Sequence, residues 1–368
     1  MELETKLVMG KKIGDLASPI NFSTIGIQSF PGVADCMEYG RFDNTTRLEV
    51  ENELAKINSV KHALLFSSGM AAITTVFLSL KSGDHIICSK NIYDGTRRVL
   101  EKIFSQFKIQ STFVSTEEEA ILSFRANTKI IWFESLSNPL LRICNIEKLS
   151  EFVKDKKCIL VIDATFTPPS IMDPFKLGAD VVIHSVSKFI SGHHDVIGGL
   201  ILSNNKKLID NFRFIQQNTG NILSPFDCFL LIRGVKTLDV RLKKQTKNAM
   251  KLANFFNKEK MVEKVIFPGL KNHIDNKIAK KNMNSFGSII TIILKKKINV
   301  FFKKLNIVKV SHSFGGFSTT IQVPRKMITF SNTNKELDDM GITNNLLRIS
   351  VGIEDINDLI NDFKKALN

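Results

Sequence analysis

The chain has 368 residues, of which 51 are Lys or Arg and 36 are Asp or Glu, for a formal net charge of +15. With 43% hydrophobic and 24% charged residues it has the composition of an ordinary folded protein, which excludes a disordered or fibrous chain. No apolar run approaches the ~20 residues needed to cross a bilayer, and Met1 to Lys12 lacks the apolar core of a signal peptide, so a cytoplasmic protein is expected.

Residues 1–45 contain the breakers Pro19, Pro31 and Gly32 and sustain no period, which predicts an irregular, extended N-terminal arm. From 46 to 240, short β-rich apolar runs alternate with helical periods, the pattern of a mostly parallel sheet wrapped by helices. Strands are predicted at 85–88, 129–133, 158–162, 180–183 and 199–202, with helices at 70–80 and 146–153. Within 241–368 an amphipathic helix at 241–256, a strand at 288–294 and a last helix at 355–367 predict a smaller C-terminal α/β domain. The expected fold class is therefore α/β, with a large sheet domain followed by a small one.

The basic excess is dispersed. Lys243, Lys244 and Lys247 lie in one polar stretch, Lys280 and Lys281 in another, and Lys295 to Lys297 with Lys303 and Lys304 in a third. A solvated lysine-rich surface accounts for this better than a nucleic-acid partner, which needs cations clustered against phosphates. The five cysteines, Cys36, Cys88, Cys144, Cys158 and Cys228, stand singly without C-x-x-C spacing, which predicts reduced thiols and no zinc or dithiol site. His193, His194 and Asp195 are adjacent, and adjacent side chains rarely converge on one ion, so no metal is expected.

One lysine stands in an unusual setting. Lys188 lies just past the predicted strand 180–183, within His184-Ser185-Val186-Ser187-Lys188, in a loop rich in Ser and Gly. In an open α/β sheet ligands bind beyond the carboxyl ends of the strands, where this loop falls. A solvated surface lysine is the plain alternative. Asp163 ends the preceding strand, 25 residues before Lys188, roughly one repeat of a βαβ unit, so both side chains reach the same end of the sheet. That carboxylate would serve equally as a helix cap. Paired with a lysine it suggests pyridoxal phosphate, held as a Schiff base with an acid on the ring nitrogen. Ser67-Ser68-Gly69-Met70 leads into the predicted helix 70–80, and a helix N-terminus offers free N–H groups to a phosphate. Simple serine capping explains Ser67 and Ser68 as well; Gly69 favours close approach of a ligand. The chain has 28 Phe but only two Tyr, Tyr39 and Tyr93, which marks both as places where a hydroxyl matters, with core packing the alternative.

These residues resemble those of the Cys/Met-metabolism, or trans-sulfuration, pyridoxal-phosphate enzymes of fold type I. The resemblance runs from Tyr39 to the end. It rests on Tyr39-x-Arg41, Ser67-Ser68-Gly69-Met70, Ser137-Asn138-Pro139, Asp163-Ala164-Thr165, Ser185-x-Ser187-Lys188, Arg233-Gly234-x-x-Thr237 and Leu347-Arg348-Ile349-Ser350. It implies the fold type I transferase architecture, bound pyridoxal phosphate, and Lys188 as the Schiff-base lysine with Asp163 at the pyridinium nitrogen. Gly69 and Met70 would offer N–H groups to the phosphate, with the hydroxyls of Ser185 and Ser187. Tyr39 and Arg41 would reach the phosphate in a neighbouring subunit, which makes residues 1–45 an arm on that neighbour and implies dimeric sites and a homotetramer. Tyr93 would stack over the ring and help move protons. Arg348 would clamp the substrate carboxylate, with Asn138 and Ser313 beside it.

The implied substrate is a sulfur-containing or O-activated amino acid, and the implied reaction forms or breaks a γ C–S bond, as in cystathionine γ-lyase or γ-synthase. Cystathionine β-lyase, methionine γ-lyase and O-acetylhomoserine sulfhydrylase are the rivals; a nucleic-acid binder on a degenerate fold is the non-enzyme alternative, against which Lys188 and Asp163 are both retained. The chain departs from the family pattern at His194, usually serine, at Ser187, usually threonine, and at Ser318, where cystathionine enzymes usually carry glutamate. The loss of that charge bears on the substrate's distal part.

Overall fold

A computed structural model describes residues 1–9, 17–34, 37–295, 298–329 and 331–368; Cys36 and the pair Lys296 and Lys297 lie outside these. The first sheet has seven strands: β1 His62–Phe66, β2 His85–Ser89, β3 Gln110–Val114, β4 Thr128–Glu134, β5 Ile159–Asp163, β6 Val181–Ser185 and β7 Gly199–Ser203. Their spatial order is β1-β7-β6-β5-β4-β2-β3, with β3, β2, β4, β5 and β6 parallel and β7 antiparallel to both its neighbours. The central strands are rich in Ile and Val and buried on both faces, as a helix-covered parallel sheet requires. Separate cores fill the two faces: Leu65, Ile87, Ile131, Leu160 and Leu200 on one, Phe66, Ile86, Trp132, Val161 and Ile201 on the other.

The second sheet has five strands: β8 Val262–Ile266, β9 Ile289–Leu294, β10 Lys309–Val310, β11 Thr320–Gln322 and β12 Leu346–Ser350. Their order is β8-β9-β12-β11-β10, antiparallel except for β10 and β11. It packs its own core against the helices Leu238–Phe256 and Ile356–Leu367. Leu242, Ala249, Leu252, Ala253 and Phe256 recur at helical spacing on the buried face of the first of these.

The predicted strands of the large sheet appear with boundaries shifted by a residue or two, and helix 146–153 appears as Ile146–Val153. Two strands of this sheet escaped prediction, as did all of the small sheet but Ile289–Leu294. Gln110–Val114 is an edge strand with little apolar content, and His62–Phe66 is fused in sequence to the loop that follows it. The opening of the chain is a correction: Leu3–Val8 is a helix, not irregular, and its Leu7 is buried in the same core as Val50 and Leu54 of its own chain. Beyond it, a short ribbon pairs Gln28–Phe30 with Val33–Ala34, and Phe22, Ile25, Ile27 and Phe30 are exposed. Cys88, Cys144, Cys158 and Cys228 are buried free thiols. No helix among the described residues is long and apolar enough to cross a membrane.

Candidate active site

Register decides which side chains converge. Glu134 pairs with Asp163 at the carboxyl ends of β4 and β5, and Ser185 at the end of β6 pairs with Gly199. Because β7 runs antiparallel, Gly199 also sits beside Phe66, which brings Ser67, Ser68 and the start of the helix Gly69–Leu78 to the same edge. There the sheet borders a cavity of about 590 Å³ lined by Gly69, Met70, Tyr93, Asn138, Asp163, Ser185, Ser187, Lys188, Ser313 and Arg348. Tyr39 and Arg41 do not line it. Arg41 donates to the carbonyl of Gln217 and lies 5.4 Å from the Tyr39 ring centroid, and Tyr39 is exposed.

Lys188 sits in the turn after β6, with its N–H on the carbonyl of Ser185 at 3.2 Å and its own carbonyl accepting from Gly192 at 2.8 Å. Its Nζ donates to Ser313 Oγ at 2.7 Å, a contact between groups 125 residues apart. Burial, reinforced by the charge of Arg348, lowers the lysine pKa to about 8. Asp163 is buried, which raises its pKa, while hydrogen bonds from Thr165, whose N–H lies 3.0 Å from Oδ1, pull it down. Burial also raises the Tyr93 hydroxyl.

Arg348, on β12, is fully enclosed. Its Nη1 donates to Asn138 Oδ1 at 2.7 Å and its Nη2 to the Ser313 carbonyl at 3.0 Å, while its Nε is buried without a partner. Burial lowers the guanidinium's pKa and the charge of Glu134 raises it. The ring centroids of Phe314 and Phe166 lie 4.9 and 5.7 Å from the guanidinium carbon. The helix Gly69–Leu78 points its N-terminus at the cavity, and Ser68 caps it, accepting from Ala71 N–H at 3.0 Å. A Cβ on Gly69 would lie 2.9 Å from Ser185 Cβ, so only glycine lets the helix come this close to β6. Ser187 Oγ accepts from Gly198 N–H at 2.9 Å, an engagement within its own loop.

Two departures from the family pattern meet in space. His194, in left-handed backbone with φ of 62°, sets its Nε2 3.4 Å from Ser318 Oγ. The imidazole of one departure thus lies against the hydroxyl of the other, and His194 lines the cavity.

Sequence reading missed Glu134, Phe166 and Phe314. Glu134 carried the same signal as Asp163, a carboxylate closing an apolar strand. The two phenylalanines, whose rings meet edge to face at 4.4 Å, are lost among 28.

These residues fit pyridoxal phosphate. A buried carboxylate makes no ion pair among the described residues, a lysine of reduced basicity stands in the turn after the next strand, and a glycine-led helix N-terminus supplies free N–H groups to a phosphate. An α/β fold with this residue set defines a pyridoxal-phosphate-dependent enzyme of fold type I. The chain belongs to the Cys/Met metabolism PLP-dependent enzyme family, whose sequence model matches residues 8–368. It is 38% identical over 364 residues to a cystathionine γ-lyase of Dictyostelium discoideum, covering 97% of this chain and 94% of that one. A cystathionine β-lyase of Coxiella burnetii is also 38% identical, over 96% of this chain and 93% of its own. Among solved structures, a cystathionine γ-lyase from Lactobacillus plantarum complexed with L-serine is similar with a TM-score of 0.96 at 32% identity, covering 100% of this chain and 98% of that one. The metB protein of Corynebacterium glutamicum gives 0.95 at 35% identity, with the same coverage.

Proposed function

We propose that this enzyme acts at the γ C–S bond of cystathionine or of a related homoserine-derived amino acid, and that its active sites are shared between subunits. The observation that carries the reading is the convergence of Lys188, Asp163 and Arg348 on one cavity. Lys188 would hold the cofactor covalently, Gly69 and Met70 its phosphate through backbone N–H groups with Ser185 and Ser187 beside them, and Asp163 the proton on its ring nitrogen. Bound pyridoxal phosphate supplies an electron sink that makes the substrate Cα proton acidic.

The chain's own residues do the rest. Arg348 takes the substrate α-carboxylate with its planar fork, steadied by Asn138 and Ser313. Lys188, once free, removes the proton from Cα; its pKa of about 8 suits that work near neutral pH. Tyr93, which lines the cavity, would lie against the cofactor ring and share proton movement at the substrate. The exposed 17–34 segment and the position of Tyr39 and Arg41 outside their own cavity favour sites completed by a second copy, in a dimer or in a tetramer built from dimers.

A β-elimination reading is favoured by the equal similarity to a cystathionine β-lyase. Product analysis decides between them. The expected outcome with cystathionine is 2-oxobutanoate or, with an O-activated homoserine and cysteine, cystathionine; pyruvate as the main oxo-acid would replace γ-chemistry by β-chemistry. Purified protein should show the visible absorption of a lysine-bound cofactor, and Lys188→Ala should lose both it and turnover; retention of either sinks the assignment of Lys188.

A further inference from the structure

Two buried carboxylates stand side by side at the cavity, yet the roles above use only Asp163. Glu134 is its register partner on the neighbouring strand, is buried, and lines the same cavity. It makes no ion pair among the described residues. Its hydrogen bond is with backbone, the N–H of Tyr93 donating to Glu134 Oε1 at 2.5 Å, and the backbone N–H of Asn138 lies near enough to pull the carboxyl's pKa down against its burial. Tyr93 stands on the loop after β2 and Asn138 on the loop after β4, so one carboxylate holds the first loop and stands beside the second, and the side chains of both line the cavity.

The chain of contacts continues. Asn138 Oδ1 accepts from Arg348 Nη1 at 2.7 Å, and Arg348 is otherwise held by a neutral carbonyl. A guanidinium held by neutral acceptors keeps its charge for an incoming carboxylate, whereas an acid bound directly to it would compete with the substrate. Glu134 sits one residue removed, near enough to favour the charge on Arg348 and bonded elsewhere.

We propose that Glu134 is a positioning residue: it pins the backbones of Tyr93 and Asn138 and, through Asn138, keeps Arg348 aimed at the substrate α-carboxylate. The inference rests on the reading that Arg348 binds that carboxylate. A merely structural brace would predict that its loss weakens every ligand alike. A positioning residue predicts a loss confined to ligands that carry the carboxylate.

The experiment compares L-alanine with ethylamine, which differ only in the carboxylate, by titrating the visible spectrum of the cofactor-loaded enzyme. In the unaltered protein L-alanine is expected to bind much the tighter; if it does not, the role of Arg348 falls and this proposal with it. Glu134→Ala is expected to keep its bound cofactor and its affinity for ethylamine while losing roughly 10- to 100-fold in affinity for L-alanine, the scale of a hydrogen bond to a charged group. Glu134→Gln keeps the Oε1 acceptor for Tyr93 and should recover part of the loss; it also serves if the alanine variant does not fold. Unchanged affinity for L-alanine in both variants, or equal weakening of both ligands, overturns the proposal.

Discussion

Lys188 buries an amine where water has been largely replaced by Phe314, Ser313 and the positive Arg348. Its pKa falls from an ordinary 10.5 to about 8, so between those values the unfolded chain binds a proton that the folded chain does not. Stability of the cofactor-free protein therefore rises with pH across that window, and near neutral pH the charged lysine costs about 3 kcal/mol. Lys188→Met should make the cofactor-free chain more stable at pH 7, by that amount less about 1 kcal/mol for the lost Ser313 hydrogen bond. The advantage should shrink as the pH approaches 10. Urea unfolding at both pH values checks it, and a gap independent of pH would refute the burial argument. The residue itself was legible in sequence because a Ser/Gly loop after a strand is a ligand-binding setting. Its bond to Ser313 was not, since nothing in local spacing links two loops that follow strands of different sheets. Glu134 shows the reverse: its signal was present, and only the register with Asp163 gives it meaning.

Among elements, the helix Gly69–Leu78 and its approach to β6 test the phosphate cradle most directly. Gly69→Ala would place a methyl 2.9 Å from Ser185 Cβ, on a rigid strand, so the helix N-terminus must retreat. Overpacking of this kind costs roughly 1–3 kcal/mol, and the expected result is a cofactor dissociation constant raised about 10-fold or more with the secondary structure intact. Reconstitution of the cofactor-free protein measures it; unchanged affinity would remove Gly69 from the cradle. Elements with apolar, β-branched runs were readable in advance because burial on both faces of a parallel sheet dictates their composition. The edge strand Gln110–Val114 and the short strand Thr320–Gln322 were not, being fixed by their partners. The helix Leu238–Phe256 was legible as an amphipathic element, but its joining role was hidden. Arg241 reaches the Phe189 carbonyl at 2.9 Å, next to Lys188, and Gln245 reaches the Gly316 carbonyl at 2.7 Å, near Ser313. One helix thus holds together the two loops that meet as Lys188 and Ser313.

For the whole molecule, the shared-site reading turns on Tyr39 and Arg41, which stand outside the cavity of their own chain next to the exposed Phe22, Ile25, Ile27 and Phe30. Apolar side chains exposed together mark a surface that another molecule covers, and a twofold dimer presents each arm to its partner's site. If Arg41 serves the neighbour, Lys188→Ala and Arg41→Ala should each be nearly inactive as homo-oligomers but complement one another. In a hybrid dimer one site joins Lys188 of the second variant to Arg41 of the first and is intact, while the other site lacks both. Unfolding and refolding the two variants together should therefore recover turnover that neither regains when refolded alone. Should the mixture stay inactive while each variant still forms oligomers, Arg41 acts within its own chain, and its bond to the Gln217 carbonyl becomes its working contact.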